Sequence, residues 1–338
     1  MPSMLRASCV RRRAPESGTV HLGVWISFIA AVLILLALDL GVFHRKDSVP
    51  TVKDALRWTA FYVALAGAFT VFVYFLYEGR LGLKPPGMLS GEQAALQFIT
   101  GYLIEESLSA DNIFVIAVIF GYFRVPPAYQ HRVLFWGILG AIAMRGIMIA
   151  LGAALIHQFS WITYVFGALL VVTAIRLYMS GDDDFDPESN FLAKLMRRFY
   201  PVTSHFDGQK FFTFIGSRRA MTPLFITLLV VESSDVLFAI DSIPAIFAIT
   251  TDPFLVFTSN IFAILGLRSL FFALSGLVEK FKYLKTSLVI LLGFIGVKML
   301  IAHHFPIPTG ISLGIVAAIL AIGIGASMWS ARKAAPAE

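Results

Sequence analysis

Two stretches of this chain place carboxylates inside segments that are otherwise oil. ITGYLIEESLSADNIFVIAVIF carries Glu105, Glu106 and Asp111, and FITLLVVESSDVLFAIDSIPAIFAIT carries Glu232, Asp235 and Asp241. Both are long and apolar enough to cross a bilayer. An acid at the centre of a membrane helix costs roughly 2.5–3.5 kcal/mol. Six unpaired at the midplane would cost about 15–20 kcal/mol, more than the roughly 5–15 kcal/mol by which folds are stable. Some must be neutralised, protonated or bathed by water, and acids retained at such positions usually serve ions or protons.

Composition sets the class. Of 338 residues, 58% are hydrophobic and 14% charged, against about 45–50% and about 25% for soluble domains. The expected fold is all-α, a polytopic membrane protein. A single cysteine, Cys9, excludes an intrachain disulfide framework and a cysteine metal cluster. The net charge of +6 lies mostly in short loops between apolar spans, which fits the positive-inside rule better than nucleic-acid binding. There is no P-loop, dinucleotide fingerprint or His-Glu-x-x-His motif, so nothing points to nucleotide-driven transport.

Crossing about 30 Å of hydrocarbon takes about 20 apolar residues. Nine spans are expected, at roughly 21–43, 57–78, 97–121, 132–156, 160–179, 222–249, 254–277, 284–303 and 309–330. Lys and Arg in the tails and loops and at the span ends beside them divide 6 against 17, which places the N-terminus outside and the C-terminus in the cytoplasm of a bacterial inner membrane. Residues 1–20 form a tail whose Arg11, Arg12 and Arg13 are awkward to translocate; a misplaced start would explain it, whereas a genuine cytoplasmic tail would require eight or ten spans. The remaining organisation is two peripheral helices (21–96), a three-span unit (97–179), a cytoplasmic loop (180–221), a second three-span unit (222–303), and a last helix with its tail (304–338). The loop opens with Asp182, Asp183, Asp184 and Asp186, a solvated charge run on the plainer reading and a cation collector on the sharper one.

The two three-span units repeat one another. Each opens with an acid-rich span. Each second span holds one arginine, Arg145 and Arg268, 123 residues apart, and each third ends in a base, Arg176 and Lys298, 122 apart. An odd number of spans makes the copies enter the membrane from opposite faces, an inverted repeat of the kind secondary transporters use, with a site expected near the midplane between the acid-bearing spans.

At about 100° per residue, Glu232 and Asp235 share a face, while Asp241 lies about 120° from Asp235 and Asp111 about 120° from Glu105. One straight helix cannot aim all of them at one point. Either they serve different steps, or the helices are interrupted, and Pro244 favours a break near Asp241. The donors are hard oxygens: carboxylates, the amide of Asn112, and hydroxyls of Ser107, Ser109, Ser234 and Ser242. Such ligands suit Mn²⁺, Ca²⁺ or Mg²⁺ and do not separate them. The candidate metal-binding set is Glu105, Asp111, Asn112, Glu232, Ser234, Asp235 and Asp241, with Arg145 and Arg268 balancing charge. The plainer alternative makes Glu105, Asp111, Asp235 and Asp241 salt-bridge staples for those arginines. Glu106 points away from Glu105 and reads as structural, Asp39 as an interfacial polar residue, and His303 with His304 as an interfacial pair.

These residues also carry a resemblance. ESLSADNIFV, the run from VVESSDVLFAIDSIPAIF to GLRSL, and YPVTSHFDGQKFF are similar to the signature stretches of the TerC/Alx integral membrane family. The likeness runs from about residue 21 to 330. It implies an architecture like that of the lysine-exporter superfamily and manganese export, with links to tellurium resistance, alkaline-pH response and metallation of exported enzymes. It also implies that Glu105, Asp111, Glu232, Asp235 and Asp241 are the important acids. The expectation is a secondary transporter exporting a divalent cation, Mn²⁺ first. Its partners are the lipid bilayer, the cation and protons as coupling ion, with no enzyme activity, no permanently bound cofactor and no nucleic acid. The rivals are a non-transporting scaffold in a stress response and an intramembrane acid-dependent enzyme.

Overall fold

The computed structural model describes residues 20–41, 51–80, 89–159, 161–179, 191–274, 283–302, 305 and 307–334. They are mostly helical: α1 (Leu22–Gly41), α2 (Val52–Glu78), α3 (Gly91–Tyr122), α4 (Pro127–Gln158), α5 (Ile162–Met179), α6 (Phe191–Phe199), α7 (Pro223–Phe247), α8 (Pro253–Leu274), α9 (Leu284–Ile301) and α10 (Thr309–Ala334), with strands β1 (Phe212–Ile215) and β2 (Arg218–Met221) between α6 and α7. Among the described residues, six helices are long and apolar enough to cross a membrane: α2, α4, α5, α7, α8 and α10. Shorter apolar helical stretches lie at Leu22–Leu38 and Thr286–Ile301.

Several helices begin before the apolar windows that reveal them, because their caps are polar. The Thr51 hydroxyl accepts from the Asp54 amide and starts α2. Ser90 and Gln93 form a reciprocal capping box at α3. Pro127 and Pro223 occupy first-turn positions of α4 and α7, where a missing N–H removes no helical bond.

Three pairings organise the bundle. α3 packs on α8, α4 on α7, and α5 on α9. α2 covers α3 and α8, and α10 lies on α3 and α9. The α5–α9 crossing is made by glycines. A Cβ on Gly296 would sit 3.0 Å from the Gly167 carbonyl, and one on Gly167 would sit 3.1 Å from the Gly296 carbonyl. α1 docks through rings: Trp25 meets Phe254 edge-on at 5.1 Å and Phe28 meets Phe69 at 5.4 Å. At the far end of α2, the Tyr77 hydroxyl donates to Asp252 (2.8 Å), whose other oxygen accepts from the Phe254 amide and caps α8.

The polar segment amends the all-α expectation. Residues 212–221 form an antiparallel hairpin, with Ile215 opposite Arg218 and Gly216 supplying a positive φ of 61° in its tight turn. Hydropathy misses it because its strands are only four residues long. Met221 is fully buried. The Arg132 guanidinium lies 5.1 Å over the Phe211 ring, and Phe212 meets Phe225 at 4.5 Å, so the hairpin is fastened to the first turns of α4 and α7. Asp207 accepts from Thr213 and Lys210, which hold its carboxyl below the usual range.

The α5–α9 crossing yields a test. Gly296→Ala should destabilise the detergent-solubilised protein by about 1–3 kcal/mol, the cost of overpacking a tight contact. Gly293→Ala, with nothing within 4 Å, should be neutral or slightly stabilising. Thermal unfolding of both variants checks the contrast.

Candidate functional site

The sequence puts four polar groups near the middles of four apolar helices: Glu105 on α3, Arg145 on α4, Asp235 on α7 and Asn260 on α8. The fold brings all four together. Arg145 is the hub. Its Nε and Nη2 donate to the two oxygens of Asp235 at 3.3 and 3.0 Å, a forked geometry that only a guanidinium offers. Its Nη1 pairs with Glu105 and donates to Asn260 Oδ1 at 2.9 Å and to the Ser242 hydroxyl at 3.4 Å. The Asn260 amide nitrogen donates to the Val256 carbonyl at 3.0 Å, which turns its oxygen toward the arginine. Arg145 and Glu105 are buried, at 1% and 0% side-chain exposure. Burial without partners would be prohibitive for either.

Beside this cluster lies a cavity of about 20 Å³ lined by Asn112, Glu232, Ser234 and Asp235 together with Val231 and Phe238. That volume holds one water-sized guest. Asp235 faces both the cavity and Arg145. The Glu232 carboxyl fits there because residue 140 is glycine: a Cβ on Gly140 would collide with it. The opposing wall is α4, through Leu134, Gly137, Ile138 and Ala141.

The other expected ligands go elsewhere. Asp241 accepts from the Thr173 hydroxyl of α5 at 2.8 Å and is not a partner of Arg145. Glu106 turns away from Glu105, with one oxygen 3.9 Å from where a Gly266 Cβ would lie, and its Oε2 is buried with no hydrogen-bond partner. Arg268 is buried on α8. The side chains of Asp111 and Asp39, residues His303 and His304, the run Asp182 to Asp186, and residues 1–19 lie outside the described residues. α7 runs through Pro244 and ends three residues later, at Phe247. The Ser233 and Ser234 hydroxyls donate to carbonyls four residues back.

Sequence reading missed two groups. Asn260 sits in the polar triplet Thr258-Ser259-Asn260 inside an apolar run, which was its signal. Thr173 had none, since a threonine in an apolar helix ordinarily bonds its own backbone. Among the described residues, no group of three or more His, Cys, Asp or Glu is poised around a metal position. What the arrangement offers is a buried seat for positive charge, built from two carboxylates, an amide oxygen and a hydroxyl, and filled by a guanidinium.

Comparison with known proteins adds the family. A profile described as "Integral membrane protein TerC family" matches residues 90–335. An "Uncharacterized membrane protein STKORF319" of Myxococcus xanthus is 52% identical over 312 residues, covering 92% of this chain and 94% of that protein. A "Putative membrane-bound redox modulator Alx" of Escherichia coli K12 is 44% identical over 310 residues, covering 90% and 94%. An uncharacterized membrane protein of Rickettsia bellii is 43% identical over 304 residues, covering 90% and 96%. No solved structure matches.

The hub makes a stability prediction. Arg145→Met leaves the buried Glu105 and the half-buried Asp235 without their cation and should cost about 3–5 kcal/mol. Adding Glu105→Gln and Asp235→Asn should recover much of that loss, because the buried charges go with their partner. Unfolding midpoints of the single and triple variants in detergent test the coupling.

Proposed function

Because the chain belongs to the integral membrane TerC family, we propose that it is a secondary transporter that exports a divalent cation, Mn²⁺ first, through the carboxylate seat between α3, α4, α7 and α8. The observation that carries this reading is the Arg145 cluster. A guanidinium held by Glu105, Asp235, Asn260 and Ser242 marks a place built for a cation and lined with the hard oxygens that Mn²⁺, Mg²⁺ and Ca²⁺ prefer. The adjoining cavity adds Asn112, Glu232 and Ser234. In this reading Arg145 is a tethered substitute for the cargo. When a metal enters from the Glu232 side, it takes Asp235 from the arginine.

The reading includes nine spans and an inverted repeat of α3–α5 and α7–α9. Their pairing supports it: exchanging the two triplets turns α3–α8 into α7–α4 and leaves α5–α9 unchanged, and all three contacts are present. Gly167 and Gly296 face one another at the crossing that such a twofold would relate. Asp111, Asp241 and Arg268 then belong to further stations of the path, Asp241 at the α5 side through Thr173. Burial favours the protonated carboxyl and bound metal favours the carboxylate, so exchange of metal for protons supplies the coupling. The excess of Lys and Arg on one side supports an inner-membrane protein with its N-terminus outside.

The Alx relatives' name speaks of redox modulation. Cys9 is the sole cysteine of this chain, so no intrachain dithiol is at hand. Changed metal supply to redox enzymes is the route this reading gives to such a phenotype, and to tellurium resistance.

Expression in a cell lacking its own manganese exporter tests the assignment. The wild-type chain should lower total cell manganese and restore manganese tolerance. Asp235→Asn and Asp241→Asn, at equal protein level, should lose at least about tenfold in export. Export at the wild-type rate by both variants would sink the proposal, and element analysis across Mn, Mg and Ca identifies the cargo.

A further inference from the structure

The segment between α5 and α7 carries a surface that cation export does not use. In α6, at about 100° per residue, Leu195, Met196 and Phe199 fall on one side and Lys194, Arg197 and Arg198 on the other. Met196 packs down onto the core beneath, yet Leu195 and Phe199 stay 38% and 67% exposed. The hairpin mixes the two kinds instead, setting one apolar residue and one arginine on each face. Phe214 and Ile215 are 68% and 50% exposed, and the register sets Arg219 and Arg218 directly across from them. Lys194, Arg197, Arg198, Lys210, Arg218 and Arg219 face one acid, Asp207, among residues 191–221. That acid is already engaged by Thr213 and Lys210.

Tethering fixes where this surface lies. α5 and α7 are both long and apolar enough to span the membrane, and the segment joins the end of one to the start of the other. Its aromatic and guanidinium groups are therefore held at the membrane boundary. Apolar side chains that reach the acyl region, edged by Lys and Arg at phosphate depth, are the chemistry of an interfacial helix on an anionic bilayer. We propose that α6 and the β1–β2 hairpin form a docking surface for anionic phospholipid head groups of the adjoining leaflet. The arginines take the phosphates, and Phe199 and Phe214 enter the acyl boundary. Charge complementarity selects the occupant: a zwitterionic lipid also offers a phosphate, but its choline cancels that charge, so a surface this basic is attracted on balance only to an anionic leaflet.

The full chain in detergent is titrated with dioleoylphosphatidylglycerol, with dioleoylphosphatidylcholine, or with inorganic phosphate, and thermal unfolding is followed. The anionic lipid should raise Tm saturably, at a concentration at least about tenfold lower than the zwitterionic one, and the preference should fade in high salt. Inorganic phosphate should do nothing. The quadruple variant R197Q/R198Q/R218Q/R219Q should keep its Tm in phosphatidylcholine and lose the preference, while the corresponding four-lysine variant keeps it. Equal response to both lipids, an equal shift with inorganic phosphate, or a preference that survives the four glutamines would overturn the proposal. Should the glutamine variant not fold, persistence of the wild-type preference at high salt would overturn it as well.

Discussion

A guanidinium buried among apolar helices has to be met by negative charge, and this bundle is arranged around that requirement. Arg145 draws Glu105 from α3, Asp235 and Ser242 from α7 and Asn260 from α8. Those elements are the central helices of the fold. Apolar packing alone gives helices in lipid little reason to choose one rotation over another, because lipid tails are as apolar as leucine. A forked arginine bonded to a carboxylate on a neighbouring helix does fix rotation and depth. The close glycine contact of α5 and α9 does the same without charge.

The cluster is uneven in its numbers of acids and bases. One cation faces two carboxylates, with a third, Glu232, in the cavity wall. The Glu232 carboxyl lies in the space that a Cβ at position 140 would fill. A cavity with room for a single small guest adjoins the cluster, with Glu232 in its wall and Asp235 shared between the two.

Much of this was legible in the sequence, and the reasons are specific. The positions of the apolar helices follow from hydropathy, and their early starts at Thr51 and Ser90 were lost because caps are polar by necessity. Angular bookkeeping along α7 separated Asp241 from Asp235, and they do meet different helices, Thr173 of α5 and Arg145 of α4. The likeness of ESLSADNIFV, of the run from VVESSDVLFAIDSIPAIF to GLRSL and of YPVTSHFDGQKFF to the TerC family named the family that the profile match shows. The sequence offered Glu105, Asp111, Asp235 and Asp241 together as staples for Arg145 and Arg268, and Arg145 does pair with Glu105 and Asp235; which acids it takes was not legible, because spacing along one chain carries no information about which of several nearby acids a guanidinium reaches. The β1–β2 hairpin was hidden for a different reason: four-residue strands hold too few alternations to stand out.

Pro244 lies one turn beyond Asp241 in a helix that continues past it. An imino nitrogen has no hydrogen to give, so the carbonyl of Ile240 is spared its usual role in the ladder. The turn that bears Asp241 thus has a main-chain oxygen in surplus, adjacent in sequence to a carboxylate that already takes up the Thr173 hydroxyl. Such an oxygen is a hard donor that neither titrates nor swings.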